Sequence, residues 1–298
     1  MYLSISIVNF NTKYFLEKCL SSIYKNTRHI DFEVFVVDNG SIDGSVEMVR
    51  SKFPKTKLIV NRENAGFARA NNQAIKESKG MYILLLNSDT EVLLSVFELM
   101  VKFMDSHNEV GALGCKLLNY DGSLQRSCRS FPNFLTLFLE STFLDQIFFR
   151  KRFFGAYQMT YWNYDDIREV DQPMGACLMV RRKAIEEVGL LDEDFFMFFE
   201  EVDWCYRIKK KGWKIYFLPH AKVIHHGGQS IKKLNLPMFF AWHKSRYRYF
   251  RKRYPDVPPI LLKIILIGCS LLQPIIILAV FYGIYRLVIY GISNFVGY

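Results

Sequence analysis

Two apolar runs in this chain stop abruptly in acidic turns. Glu33-Val34-Phe35-Val36-Val37 leads into Asp38-Asn39-Gly40-Ser41-Ile42-Asp43-Gly44-Ser45, and Tyr82-Ile83-Leu84-Leu85-Leu86 leads into Asn87-Ser88-Asp89-Thr90. Runs this short and this apolar read as buried strands. Strands that alternate with helix-period patterns close into a mostly parallel sheet through right-handed crossovers. Both turns then fall on the carboxyl edge of one sheet, where open α/β folds bind ligands. The expected class is therefore α/β, a Rossmann-like central sheet flanked by helices.

The pattern is clearest up to Leu117. Strands are expected at Leu3–Val8, Glu33–Val37, Lys57–Val60, Tyr82–Leu86 and Val110–Leu117. Helices are expected near Tyr14–Asn26, Gly44–Phe53, Gly66–Lys79 and Leu93–Ser106. Leu16, Cys19, Leu20 and Ile23 follow the i, i+3, i+4, i+7 spacing of a helix with one buried face. From Gln125 to Val170 the pattern loosens into an aromatic, basic stretch. An amphipathic segment on a membrane, a cover over an acceptor groove and a buried core segment all fit it. Further on, a strand is expected at Pro173–Val180 and a helix at Lys183–Val188. A helix at Glu201–Lys211 follows, then a strand at Lys214–Leu218.

Composition narrows the partners. The 298-residue chain carries a net charge of +10, half of its residues are hydrophobic and 16% are aromatic. Lys244, Arg246, Arg248, Arg251, Lys252 and Arg253 cluster just before Ile264–Tyr285, a run without a charge. A helix that long just crosses a hydrocarbon layer of about 30 Å. Positive flanks face the cytoplasm, so anionic membrane lipids are the expected partner of the cluster and nucleic acid is not. Two domains follow: 1–240 catalytic, and 241–298 a basic juxtamembrane segment with an apolar, membrane-associated helix. The six cysteines have neither metal-ligand nor redox spacing and read as reduced thiols. No signal peptide is legible at the N-terminus.

Several residues suit chemistry, and each has a plainer use. Carboxylates at two strand ends hold a divalent metal against a diphosphate, or hydrogen-bond a nucleotide. Alternatively, Asp38, Asn39 and Asp43 only build a turn and cap the next helix. Arg62 and Arg69 flank a helix N-terminus opened by Asn64-Ala65-Gly66, a place that attracts phosphate. The turn Asn9-Phe10-Asn11-Thr12-Lys13 lacks glycine, which excludes a dinucleotide fingerprint. Glu200 and Glu201 follow five apolar residues, a setting that raises a carboxyl pKa and suits a general base. They also place acid at a helix start. Asp203 and Arg207 stand i, i+4 and can pair on that helix. His225 gains weight only by converging with Asp89.

Taken in order, these segments resemble a family 2 glycosyltransferase of GT-A fold, close to rhamnosyltransferase-type enzymes of bacterial cell-surface polysaccharide assembly. The likeness rests on Val37–Ser45, Asn64–Asn72, Leu85–Thr90, Gly175–Arg182, Phe195–Arg207 and the motif from His225 to Ser230. It implies a metal-dependent, inverting transfer from a nucleotide-sugar donor to a lipid-linked saccharide acceptor, at the cytoplasmic face of the inner membrane. Asp38, Asn39, Asp43, Arg62, Asn64, Gly66, Arg69, Asn87 and Ser88 would line the donor site. Asp89 and His225 would hold Mg2+ or Mn2+. Glu201, or Glu200 in its place, would be the base, with Gly175, Asp203 and Arg207 on the acceptor side. Two departures stand out: Asn87 replaces the first acid of the metal motif, and Glu replaces Asp at the base. A UDP-hexose or UDP-galactofuranose donor, or a non-catalytic membrane scaffold, are the competing readings.

Overall fold

The computed structural model describes residues 2–148, 150–227 and 235–295. The Gly228-Gln229-Ser230 end of the histidine motif lies outside them. The chain opens with β1 (Leu3–Asn9), α1 (Lys13–Asn26), β2 (Phe32–Asp38), α2 (Ser45–Lys52), β3 (Lys57–Val60), α3 (Phe67–Glu77) and β4 (Tyr82–Asn87). Then come β5 (Thr90–Val92), α4 (Val96–Ser106) and β6 (Val110–Leu118), followed by β7 (Leu124–Gln125), β8 (Cys128–Arg129), α5 (Phe134–Ser141) and α6 (Leu144–Ile147). The remainder is β9 (Arg168–Glu169), β10 (Gln172–Pro173), β11 (Cys177–Arg181), α7 (Arg182–Val188), α8 (Glu200–Lys210), β12 (Lys214–His225), α9 (Asn235–Arg253) and α10 (Pro259–Phe295).

The main sheet runs β3-β2-β1-β4-β11-β6-β12-β5. β1 to β4 are mutually parallel, and β6 is parallel to β12. β11 is antiparallel to both β4 and β6. The sheet is thus mixed around a parallel core, less uniformly parallel than strand–helix alternation suggests. Since β11 reverses between β4 and β6, the carboxyl ends of β1, β2, β4, β6 and β12 share one edge with the start of β11. Leu16, Cys19, Leu20 and Ile23 of α1 are buried, as their spacing predicts.

Two strand expectations need correction. Pro173–Val180 is not one strand: β10 turns away to pair with β8, and Met174 donates its N–H to Ser127 O at 2.7 Å. Lys214–Leu218 is only the first part of β12, which runs on to His225 across a register irregularity between Leu218 and Lys222. Pro219 lies at that irregularity, and a residue without an N–H is tolerated in a sheet at such a bulge. β5 went unread, because three residues carry too little periodicity.

Packing divides the chain into two units. One holds Met1–Phe131 and Trp162–Tyr249; the other holds Pro132–Tyr161 and Phe250–Tyr298. In the second, α10 runs continuously through Pro274, and Pro259–Leu278 is long and apolar enough to cross a membrane. All six cysteines are free thiols.

Candidate active site

The donor side forms where β2 and β4 flank β1. Register places Asn9 opposite Asp38, and Val8 opposite Asn87. Asn9 Nδ2 donates to Asp38 Oδ1 at 2.8 Å, and Asp38 Oδ2 accepts the Ser41 N–H at 2.8 Å. Thr12 Oγ1 donates to Asn9 Oδ1 at 2.7 Å and lies 2.9 Å from Ser88 Oγ. An unbroken line of side chains therefore joins the two acidic turns. Asp38 is buried, so its carboxylate shapes the turn from within. A deeply placed network of this kind rigidifies the groups it joins.

Asn39 ties that turn to the next loop. It donates to Asn64 Oδ1 and Gly66 O, both at 3.2 Å, and accepts from Asn61 at 2.8 Å. Gly66 (φ +83°) is required twice over: its φ is left-handed, and a Cβ there would meet Phe196 O at 2.5 Å. Phe67 N–H bonds to that same Phe196 carbonyl at 2.7 Å. Donor loop and base loop thus share a backbone contact. Arg62 and Arg69 are exposed beside it. Asp43 accepts from Ser45 and from the Lys13 N–H. Partial burial pushes its carboxyl up, but those hydrogen bonds outweigh burial and hold it below the ordinary range. Its oxygens hold the turn and the start of α1.

Asp89 and His225 converge. β5 begins directly after Asp89 and pairs antiparallel with the end of β12, setting Thr90 opposite His225. His225 Nε2 lies 3.3 Å from Asp89 Oδ1 and 3.3 Å from Asn87 Nδ2. On its other side, His225 Nδ1 is 2.7 Å from Gln125 Oε1, while Gln125 Nε2 donates to Asn119 Oδ1. With Gln125 oriented in this way, its Oε1 accepts from Nδ1–H, which leaves the Nε2 lone pair facing Asn87 and Asp89. An outer hydrogen bond of this sort orients histidine as a metal ligand. Among the described residues no group of three or more His, Cys, Asp and Glu side chains gathers as a metal site. Asp89 and His225 make a two-donor set instead. That set would suit a hard divalent ion.

The base side lies at the start of β11. Asn87 N–H bonds to Ala176 O at 3.0 Å. Gly175, next to it, offers bare backbone to Glu201: a Cβ built there would sit 3.6 Å from Glu201 Cβ and Cγ. Glu200 and Glu201 open α8, and both Oε2 atoms are buried without a hydrogen-bond partner. Burial, reinforced by the Glu201 charge, lifts the Glu200 carboxyl well above the usual range. Burial also raises Glu201, against its own backbone amide, the Arg129 charge and the Gly175 backbone. Phe198 and Phe199, just before them, both hold left-handed φ (69° and 68°). Such conformations cost about 1–3 kcal/mol each and cluster at functional sites.

Asp203 and Arg207 pair with each other. Arg207 Nε donates to Asp203 Oδ2 at 2.8 Å, and its other nitrogens bond Val188 O and Leu190 O. That ties α8 to the end of α7, a structural use that the i, i+4 spacing anticipates. Sequence reading passes over Asn9 and Thr12, whose turn is judged there only by the glycines it lacks. It also misses Gln125 and Arg129, which lie in the loosely patterned stretch and gain meaning only from β12 and α8.

The fold and this edge define a GT-A glycosyltransferase. The chain belongs to glycosyl transferase family 2, whose sequence model matches residues 4–189. It is 28% identical over 250 residues, 80% of each chain, to an N-acetylglucosaminyl-diphospho-decaprenol L-rhamnosyltransferase of Mycobacterium tuberculosis. It is 25% identical over 228 residues to a low-salt glycan biosynthesis hexosyltransferase of Haloferax volcanii, covering 75% of this chain and 66% of that one. The fold is shared with the mannosyltransferase PcManGT of Pyrobaculum calidifontis, solved with GDP-Man and Mn2+ (TM-score 0.57, 16% identity, 98% of this chain and 79% of that one). It is also shared with S. aureus TarS in complex with UDP-GlcNAc (TM-score 0.57, 17% identity, 89% and 70%). The chain is therefore an enzyme of the inverting GT-A class using a nucleotide-sugar donor.

Proposed function

We propose that this glycosyltransferase moves L-rhamnose from a nucleoside-diphosphate donor to a saccharide carried on a polyprenyl diphosphate, at the cytoplasmic face of a bacterial inner membrane. The observation that carries the site is the meeting of Asp89 and His225 at 3.3 Å on the edge that also bears Asp38 and Glu201. Rhamnose and the lipid-linked acceptor come from the named activity of the mycobacterial relative. The apolar helix α10 and its basic flank suit an acceptor that stays in a bilayer.

The residues take the following roles. The turns at 38–43 and 61–69 hold the nucleotide, with Arg62 and Arg69 offering cations at the start of α3. Asp89 and His225, with Asn87 beside them, would hold Mg2+ or Mn2+, which supplies positive charge against the departing diphosphate. Glu201 takes the proton of the acceptor hydroxyl as that oxygen attacks the anomeric carbon. The carbon–oxygen bond to the nucleoside diphosphate breaks on the opposite face, and configuration inverts. Glu200 is the more deeply buried of the two, and burial with the neighbouring Glu201 charge raises its carboxyl pKa. Gly175 leaves the acceptor room beside Glu201.

The test is a panel of nucleotide sugars, each with Mg2+ or Mn2+ and a diphosphate-linked acceptor. Metal-dependent thermal stabilisation and transfer are expected with dTDP-rhamnose. Turnover with a UDP-hexose or UDP-galactofuranose alone would replace rhamnose. Turnover with none would return the chain to a scaffold role.

A further inference from the structure

The second packing unit joins two stretches that residues 162–249 separate in sequence. α5 packs against α10, and the Phe134 ring lies 5.3 Å from Phe250 and 4.5 Å from Tyr254. α5 starts with a complete capping box, Asn133 bonding the Thr136 N–H and Thr136 Oγ1 accepting the Asn133 N–H. It is therefore a built helix of the inserted stretch. It buries Leu137 and Leu139 and leaves Phe138 half exposed. Ile147 (65% exposed) and Phe153 (59% exposed) continue an apolar surface along the insertion. Between them, Arg150, Lys151 and Arg152 are three consecutive exposed cations.

Large apolar side chains left bare together along one insertion point to an interaction site. Its occupant follows from its neighbour. The Pro259–Leu278 segment of α10 has a mean hydropathy of 2.4 and only 12% of it is buried within the protein. A helix so apolar and so bare matches the hydrocarbon of a bilayer in length and chemistry. α5 rests on that helix, and the adjacent cations complement anionic headgroups.

We propose that residues 132–161 are a second membrane-binding element, seated in the headgroup region of an anionic bilayer, so that two segments hold the protein instead of a C-terminal anchor alone. The idea rests on the membrane placement given above and not on the transfer chemistry. It also gives the insertion a purpose. The chain leaves the first unit at Phe131, whose ring packs on Tyr206 of α8 at 5.4 Å, and α8 is the helix that opens with Glu200 and Glu201. The segment proposed to sit in the membrane thus follows directly in sequence on a residue packed against α8.

Full-length F148W and F153W variants, each in phosphatidylcholine–phosphatidylglycerol (3:1) vesicles carrying brominated acyl chains, test this by fluorescence difference from the parent. I42W, at a site 93% exposed in the first unit, is the aqueous control. Blue-shifted emission at 148 and 153 is expected, quenched more by bromines near the headgroup than by deep ones, with I42W unquenched. R150S/K151S/R152S, combined with F148W, should lower quenching to the level seen in pure phosphatidylcholine. Quenching at 148 and 153 no greater than at 42 overturns the proposal. So does a blue shift without quenching that depends on protein concentration, which assigns the surface to a second copy. An unchanged signal in the triple serine variant overturns the anionic-headgroup assignment. Transfer activity enters none of these readings, so failure here leaves the rhamnosyl reading standing, and the converse holds.

Discussion

The donor side and the base side of the same sheet edge are built in opposite ways. On the donor side, Asp38, Asn9, Thr12 and Ser88 form a connected series of hydrogen bonds, and Asn39 is held by three neighbours. On the base side, two adjacent carboxylates are buried with an oxygen each left without a partner, behind two residues in left-handed backbone. A satisfied network is rigid before substrate arrives. A buried, unsatisfied carboxylate is costly, and gains its missing partner when a hydroxyl is delivered. On the proposed reading the difference separates the tasks: one side would recognise, the other react.

The sharpest way to break this contrast is Glu201→Gln. General-base help is worth about 10²–10⁴-fold, so turnover should fall by that factor while donor affinity is kept. Steady-state kinetics beside donor titration read both; a loss of donor affinity with unchanged turnover would place Glu201 on the recognising side. Next in size is Gln125→Leu, which removes the group that orients His225. Loss of such an outer partner typically weakens metal affinity about 10–100-fold, measurable by Mn2+ titration in the presence of the donor nucleotide.

Asn9→Ala should cut the line between the two turns and leave buried groups of Asp38 and Thr12 unpaired. A stability loss of about 1–3 kcal/mol in denaturant unfolding is expected, together with weaker donor binding. The smallest effect belongs to Glu200→Gln. A carboxyl whose folded pKa is raised lends its full stability below the unfolded glutamate value and loses it as pH rises toward the folded one. The amide removes that loss, so the variant should melt higher than the parent at neutral pH. The gap should close as pH falls below the ordinary glutamate range. A lower melting temperature at pH 8 would show that Glu200 is ionised and satisfied.

The parallel core was legible because β1, β2, β4 and β6 are long apolar runs with turn residues at their ends. β11 was harder to orient, since an apolar run carries no sign of its direction. The convergence of Asp89 with His225 was open to the family resemblance alone, for a related reason. It depends on β5, three residues long, and on a strand that continues past Pro219. Arg207 shows the reverse: its i, i+4 spacing from Asp203 gave the pair, and the coordinates agree. Gln125 and Arg129 lay in a stretch without periodicity, so nothing local tied them to a histidine a hundred residues away or to Glu201.

The pH dependence of kcat/KM reaches the central claim most directly. As the proposed base Glu201 would work deprotonated, and burial raises its pKa. Activity should therefore fall on the acid side through a limb lying above the ordinary glutamate value of about 4.3. That limb should persist in Glu200→Gln and vanish from the residual activity of Glu201→Gln. An acid limb that survives in Glu201→Gln and disappears in Glu200→Gln would contradict the assignment of the base.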